Sequence, residues 1–161
     1  MSTKIVRLWA LIVVLLGMVL CAGAAHAGAV ALTLTRTTLT NVVDAAGTWQ
    51  HQAGDILKGG VKVGQYALHR RITNGGTAAP LNTAMTTITL FFVLAAGTAP
   101  ENVTLQGAHD FGPGNFRGGV SAGSNRYNWI RGADATYVPV AGTTNLSLTL
   151  SWTGASQLTL P

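Results

Sequence analysis

The stretch from Asn102 to Tyr137 constrains the fold most, because glycine pairs and other turn residues separate short runs of alternating apolar and polar residues there. Such alternation is typical of strands with one buried face, and clusters of Gly, Pro, Asn and Asp mark turns. The pattern predicts consecutive strands over Phe116 to Ala122, Arg126 to Ile130 and Ala133 to Val138. No window after residue 27 shows a helical period, which indicates an all-β fold.

The same rhythm continues on both sides of this stretch. Ala29 to Leu39 alternates apolar residues with threonines, and Leu146 to Trp152 alternates apolar residues with Ser and Thr. Turn-forming residues predict turns over Asn41 to Gly47, at Gly54-Asp55 and at Gly59-Gly60. Seven to nine short strands at hairpin spacing predict a sandwich or a barrel.

Apolar residues change parity near Gly64, which predicts an irregular strand. Val63 lies at an odd position, whereas Tyr66 and Leu68 lie at even positions. A β-bulge at Gly64 explains this change and would bend the strand, as closure of a barrel requires. Arg70 then shares a face with Tyr66 and Leu68.

The N-terminus has the pattern of a secretory signal of bacterial type. Lys4 and Arg7 precede an apolar run from Leu8 to Leu20, and small residues end in Ala25-His26-Ala27. We therefore predict a signal peptide over residues 1–27, a single domain over residues 28–161, and a secreted or periplasmic protein that meets the membrane only through its signal. A retained membrane-spanning helix is the alternative, but it needs about 20 apolar residues.

Composition narrows the classes of protein further. The only cysteine, Cys21, lies in the predicted signal, so burial and backbone hydrogen bonds must hold the domain, which favours a closed sheet. After the signal, the sequence contains eight Lys and Arg residues and five acidic residues. Nucleic-acid binding needs a basic stripe, and only Arg70 and Arg71 are adjacent, so we predict no nucleic-acid partner.

Polar residues on apolar faces are the candidate ligand-binding residues of a lumen. An unpaired buried guanidinium costs several kcal/mol, so Arg70 is either paired within the protein or binds a ligand carboxylate. His109 shares its face with Val103, and it is either a hydrogen-bonded core histidine or a polar group facing the lumen. Tyr66 and Tyr137 complete the candidate set, because their hydroxyls could bind a ligand oxygen.

Asp110, Tyr127 and Asp134 are secondary candidates for the same lumen. No residue is assigned a catalytic role, because no Ser, Cys or Lys lies in a nucleophile motif. The histidines after the signal show no metal-ligand spacing, so we expect neither a metal nor a cofactor. Whether the protein is an enzyme stays open at this point.

The order of these features resembles the core of the allene oxide cyclase and dirigent family of barrels. The resemblance covers about residues 54 to 137, and its fixed points are Gly54-Asp55, Val63-Gly64, Gln106-Gly107, Gly118-Gly119, Arg126-Tyr127 and Gly132. It implies an antiparallel barrel of about eight strands. It also implies a lumen that binds a lipid-derived or phenolic molecule and steers its cyclisation or coupling, in a dimer or a trimer.

Two departures from that family concern its acidic residues. The plant cyclases are expected to use a carboxylate near the first strand, and residues 29–39 contain none. Asp110 and Asp134 lie only in the general region of the dirigent aspartates. We therefore expect a secreted barrel that binds a small, mostly apolar molecule, with isomerase or cyclase activity as its enzymatic form. The alternative is a non-catalytic structural or surface-interaction barrel whose interior is filled by its own side chains.

Overall fold

The computed structural model describes residues 27–45, 47–73, 84–92, 99–109, 115–154, 158 and 160. Eight strands and a short 3₁₀ helix follow one another in these residues: β1 (Ala27–Asp44), β2 (Gly47–Lys58), β3 (Val61–Thr73), β4 (Ala84–Phe92), β5 (Glu101–His109), β6 (Phe116–Gly123), the 3₁₀ helix (Asn125–Ile130), β7 (Asp134–Pro139) and β8 (Leu146–Thr153). Each strand pairs antiparallel with the next, and β8 pairs with β1. The predicted antiparallel barrel of about eight strands is confirmed, whereas the predicted signal lies outside the described residues except for Ala27.

The barrel has two ends that differ in their chain connections. At the end that we call the mouth, the odd-numbered strands finish and the even-numbered strands begin. At the other, which we call the helix end, the 3₁₀ helix connects β6 to β7. β8 pairs with β1 only as far as Leu34, while β2 follows β1 up to Asp44. The hairpin of β1 and β2 therefore extends beyond β8 at the mouth.

Side chains of alternating residues fill the interior of the barrel. The most deeply buried of them are aliphatic and aromatic, each at 0% relative exposure: Leu34, Ile56, Leu68, Ile88, Leu90, Phe92, Val103, Leu105, Phe116, Leu148 and Leu150. They belong to one contiguous apolar core. Because this core has no disulfide, burial of apolar area is its main source of stability.

The hairpin of β2 and β3 has the predicted turn and the predicted bulge. Gly59 and Gly60 have φ angles of 58° and 86°, and two consecutive positive φ angles suit the tight turn that joins antiparallel strands. The register shifts by one residue between Ile56 and Leu57, where Ile56 pairs with Gly64. Because of this shift, the side chains of the even-numbered residues after Gly64 in β3 point into the barrel.

The predicted turn at Gly54-Asp55 is wrong, and the predicted turn over Asn41 to Gly47 is shorter than expected. Strand β2 runs without interruption through Gly54-Asp55, and Asn41 to Asp44 still belong to β1, with the turn beginning only at Ala45. Gly54 is required for close packing, because a Cβ there would collide with the carbonyl oxygen of Thr35 on β1. Cross-strand pairing thus outweighs the turn preference of these residues.

The predicted strand over Arg126 to Ile130 is also wrong, because these residues form the 3₁₀ helix. β6 pairs directly with β7, from Phe116 opposite Tyr137 onward, so the helix is an excursion at the helix end. Tyr127 is buried there. Among the described residues, no helix is long and apolar enough to cross a membrane.

Candidate functional site: a cationic pocket at the mouth of the barrel

Polar side chains gather at the mouth around a cavity of about 330 Å³. Its lining comes from β1, β2, β3, the end of β7 and the turn into β8: Arg36, Gln50, Gln52, Arg70, Pro139, Thr143, Thr144, Asn145 and Leu146. Strand register explains this gathering, since Gln50 pairs with Arg70 on neighbouring strands. These residues continue the inward-facing series of each strand beyond the apolar core.

The first contact below the pocket joins β2 to β3. The side-chain amide of Gln52 donates to the hydroxyl of Tyr66 over 2.6 Å, and both residues are buried. Burial raises the pKa of Tyr66, while the hydrogen bond from Gln52 and the nearby charge of Arg36 oppose that rise. Tyr66 therefore stays a neutral hydroxyl at physiological pH.

The second contact crosses the interior of the barrel. Nη2 of Arg70 on β3 donates to the hydroxyl of Tyr137 on β7 over 2.7 Å. The ring of Tyr137 stacks on that of Phe116, with 5.1 Å between centroids and 9° between planes. Burial raises the pKa of Tyr137, although the charge and hydrogen bond of Arg70 oppose the rise. The guanidinium is thus held at the hydroxyl of a tyrosine whose ring is stacked on Phe116.

Hydrogen-bonding capacity at the mouth is incompletely used. Among the described residues, the buried side-chain polar atoms without a partner are Nε of Arg70 and Oγ1 of Thr86. These two residues are opposite each other on β3 and β4. Buried polar atoms in folded proteins are nearly always satisfied by protein or water, so Nε of Arg70 can still donate to a water molecule or to an anion bound in the pocket.

Arg36 and Arg70, the cationic residues of the pocket, have no acidic partner in the part of the chain that the structure describes. The ion pairs there join Lys62 to Asp55, Arg71 to Asp44 and Arg126 to Glu101. Neither Arg36 nor Arg70 takes part in any of them. Two guanidinium groups beside one polar cavity can bind an anion, because Arg offers paired donors that match a carboxylate or phosphate.

The structure brings Tyr66, Arg70 and Tyr137 together, but it does not bring the other candidates to them. The backbone of His109 ends β5 at the mouth, opposite Ala84 and Phe116. The side chain of His109 and all of Asp110 lie outside the described residues.

Two of the secondary candidates are far from the mouth. Tyr127 lies at the helix end, where its ring contacts that of Phe92 edge-on with 5.4 Å between centroids, and burial raises its pKa. Asp134 is exposed at the start of β7. These two residues therefore do not contribute to the pocket.

Arg36, Gln50 and Gln52 line the pocket although the sequence analysis did not select them. Arg36 continues the even-numbered inward series of β1 that includes Leu34, so parity alone could have indicated it. The two glutamines share the parity of Ile56 on β2. The wrong turn at Gly54-Asp55 broke that series and hid them.

A second cavity, of about 420 Å³, lies at the helix end. Its lining includes the rings of Trp129 and Trp152, which meet edge-on at 5.7 Å, together with Arg131 and Asp134. Both unpartnered buried atoms found in the described residues lie at the mouth instead. The mouth is therefore the stronger candidate for a functional site.

Comparisons with known proteins do not show a family for this protein. No protein-family model matches the sequence, and no curated protein does. Fold and site together define a small eight-stranded antiparallel barrel with a cationic pocket at its mouth.

Proposed function

We propose that the protein is a binding barrel for a small molecule that carries a carboxylate or a similar anionic group. The observation that carries the proposal is the buried Nε of Arg70, which has no partner among the described residues, in a pocket that also contains Arg36. A bound anion would accept hydrogen bonds from both guanidinium groups. It would thereby offset the cost of holding Arg70 partly out of water.

The volume and the lining of the pocket support a small ligand with an apolar part. A volume of about 330 Å³ is near the lower end of ligand pockets. Leu146 is part of the lining, and the stacked rings of Phe116 and Tyr137 lie beside Arg70. A phenolic or short aliphatic acid would place its charge on the arginines and its apolar part against Pro139 and Leu146, because the rings of Phe116 and Tyr137 are themselves buried.

Secretion and a chemical role for the bound molecule belong to the same proposal. The N-terminal pattern supports export, and the resemblance to allene oxide cyclase and dirigent barrels supports cyclisation or isomerisation without a cofactor. Such activity would arise by orientation of the bound molecule. The neutral hydroxyl of Tyr66 would be a hydrogen-bonding group that helps to orient it. Dimers or trimers rest on the resemblance alone.

The filled interior favours a competing function, a structural or surface-interaction barrel that binds no small molecule. Its supporting observation is the row of fully buried aliphatic and aromatic side chains beneath the pocket. In that case Arg36 and Arg70 would only keep the mouth polar and hydrated. A binding experiment separates the two functions.

The experiment combines native mass spectrometry of the protein from its own host with calorimetric titration. The probes are 4-hydroxycinnamate and its methyl ester, which differ in the negative charge. We expect the acid to bind and the ester to bind at least about tenfold more weakly, a difference of about 1.4 kcal/mol. Arg70→Met and Arg36→Met should each weaken binding of the acid, whereas Arg117→Met, at an exposed position on β6, serves as the matched control.

Three results together would overturn the binding proposal. In the first, native mass spectrometry shows the protein without a bound molecule. In the second, neither probe gives heat in the calorimetric titration. In the third, acetate, phosphate and sulfate leave the NMR chemical shifts of the mouth residues unchanged. Equal affinity for acid and ester would reject the anionic group while keeping a binding lumen.

A further inference from the structure

We propose that His51 and His69 form a binding site for a divalent transition-metal ion on the outer wall of the barrel. Their Nδ1 atoms lie 2.6 Å apart, and their rings meet edge-on with 4.8 Å between centroids and 78° between planes. Both side chains are exposed. The site is separate from the cationic pocket, because these odd-numbered residues point outward where their even-numbered neighbours point inward.

The backbone holds the two histidines opposite each other. His51 on β2 pairs directly with His69 on β3, and the two strands remain paired from the Gly59-Gly60 turn to Gly47 opposite Thr73. Cβ atoms of directly opposite residues are about 5 Å apart. A metal ion would therefore find two imidazoles already positioned, with no loop to order on binding.

Protonation chemistry explains why a metal suits this pair. At 2.6 Å one Nδ1 must donate a proton and the other must accept it. A metal ion can take the place of that proton, because the donating ring can carry its proton on Nε2 instead, and each neutral imidazole then offers its Nδ1 lone pair. Metal bonds of about 2.0–2.1 Å place two ligand nitrogens roughly 3 Å apart, and exposed rings reach that separation by a small rotation.

The surroundings determine the class of metal. No group of three or more His, Cys, Asp or Glu residues that could hold an ion occurs in the described ranges, so the two imidazoles would share the ion with water. Imidazole suits copper, nickel and zinc, and Cu²⁺ is bound most tightly by a given set of nitrogen ligands. We therefore expect Cu²⁺ to bind more tightly than Ni²⁺ or Zn²⁺.

The next pair along the same face supplies an optical reporter. Trp49 is opposite Arg71, whose guanidinium carbon lies 4.4 Å from the centre of the indole ring. Arg71 in turn forms an ion pair of 3.6 Å with Asp44. This neighbouring carboxylate partly neutralises Arg71, which reduces its repulsion of a cation at the histidines. Cu²⁺ at the site should quench the fluorescence of Trp49.

The test is titration of the protein, as its host produces it, with Cu²⁺ as chloride, followed by fluorescence and electron paramagnetic resonance. We expect one equivalent to bind with nitrogen couplings from two imidazoles. His51→Gln and His69→Gln should each weaken binding by at least about tenfold, in keeping with the sensitivity of metal sites to lost ligands. Gln65→Ala, at an exposed position on the same strand as His69, is the control and should bind as the unchanged protein does.

The proposal fails if the double variant His51→Gln/His69→Gln retains the affinity and the nitrogen couplings of the unchanged protein, because copper would then occupy another site. It also fails if Zn²⁺ binds more tightly than Cu²⁺ with no effect of either substitution. Both histidines are exposed, so circular dichroism should show an unchanged fold. The proposed function does not depend on this result, since its probes and variants concern the mouth.

Discussion

The two ends of the barrel are built from different kinds of side chain. At the helix end, Tyr127 and Ile130 are buried beside Phe92, and the Glu101 carboxylate accepts hydrogen bonds of 3.2 and 3.3 Å from the backbone N–H and Nε of Arg126. At the mouth, polar groups remain partly unpaired around Arg70. The comparison suggests that the helix end contributes stability and the mouth contributes binding, and each prediction below tests one side of that division.

The largest effect is expected at the helix end, where Phe92→Ala would remove a fully buried ring. Loss of its burial and the resulting cavity should lower the free energy of unfolding by about 3–5 kcal/mol. Urea unfolding measures this value. Met85→Ala, at a residue on the same strand with 68% exposure, should change it by less than about 0.5 kcal/mol. Equal effects of the two substitutions would contradict a packed helix end.

A smaller loss of stability is expected for Gly118→Ala on β6. A Cβ there would collide with the carbonyl oxygen of Gln106 and would lie 2.6 Å from Cζ of Phe116. Since backbone cannot move away as a side chain can, the free energy of unfolding should fall by about 1–3 kcal/mol. Gly119→Ala is the neighbouring control, because its Cβ would meet only the Ala133 oxygen at 3.3 Å.

Strand parity accounts for much of what the sequence predicted correctly. The turn at Gly59-Gly60 and the bulge at Gly64 together placed Tyr66 and Arg70 inward. The same two features also imply that His51 lies opposite His69, although this pair was not among the predicted contacts. The alternation of residues along a strand predicts which side chains point inward, and a recognised hairpin turn adds which residues of the neighbouring strand lie opposite them.

Contacts across the barrel could not be predicted in the same way. Arg70 and Tyr137 are 67 residues apart, and their contact depends on closure and on the stagger of every strand between them. The 3₁₀ helix also lacked a signal, because its N-cap makes no side-chain hydrogen bond and its first turn has no acidic residue. Its formation follows from burial of Tyr127 at the helix end.

A pH-dependent effect tests both ends together. The chain has three tyrosines, and burial raises the pKa of each above its ordinary value of 10.0. The unfolded chain therefore loses these protons first, so the tyrosines' contribution to stability is complete below pH 10 and declines as the pH rises through the folded-state pKa values. The absorbance of tyrosinate during titration should show no group near 10 until the protein unfolds.

The two ends should respond differently when a charge is removed at the mouth. In Arg70→Met the pKa of Tyr137 should rise further, because the guanidinium that lowers it is lost. The pKa of Tyr127 should stay unchanged, since its opposing charge comes from Arg126. A titration of Arg70→Met against Arg70→Met/Tyr137→Phe isolates the relevant group. A common shift of all tyrosines would instead indicate a general loosening of the barrel.

The smallest change in stability is expected for Arg70→Met, and it decides between the two roles that the sequence left open for this residue. Loss of the hydrogen bond to Tyr137 costs stability, but removal of a partly buried charge with an unpartnered Nε offsets it, because apolar replacements of such charges are often neutral. We expect the free energy of unfolding to change by less than about 1 kcal/mol. A structural guanidinium would instead cost about 2–3 kcal/mol when removed, because its charged hydrogen bond to Tyr137 would be lost, and that loss in urea unfolding would assign Arg70 to the stability of the barrel and not to a ligand.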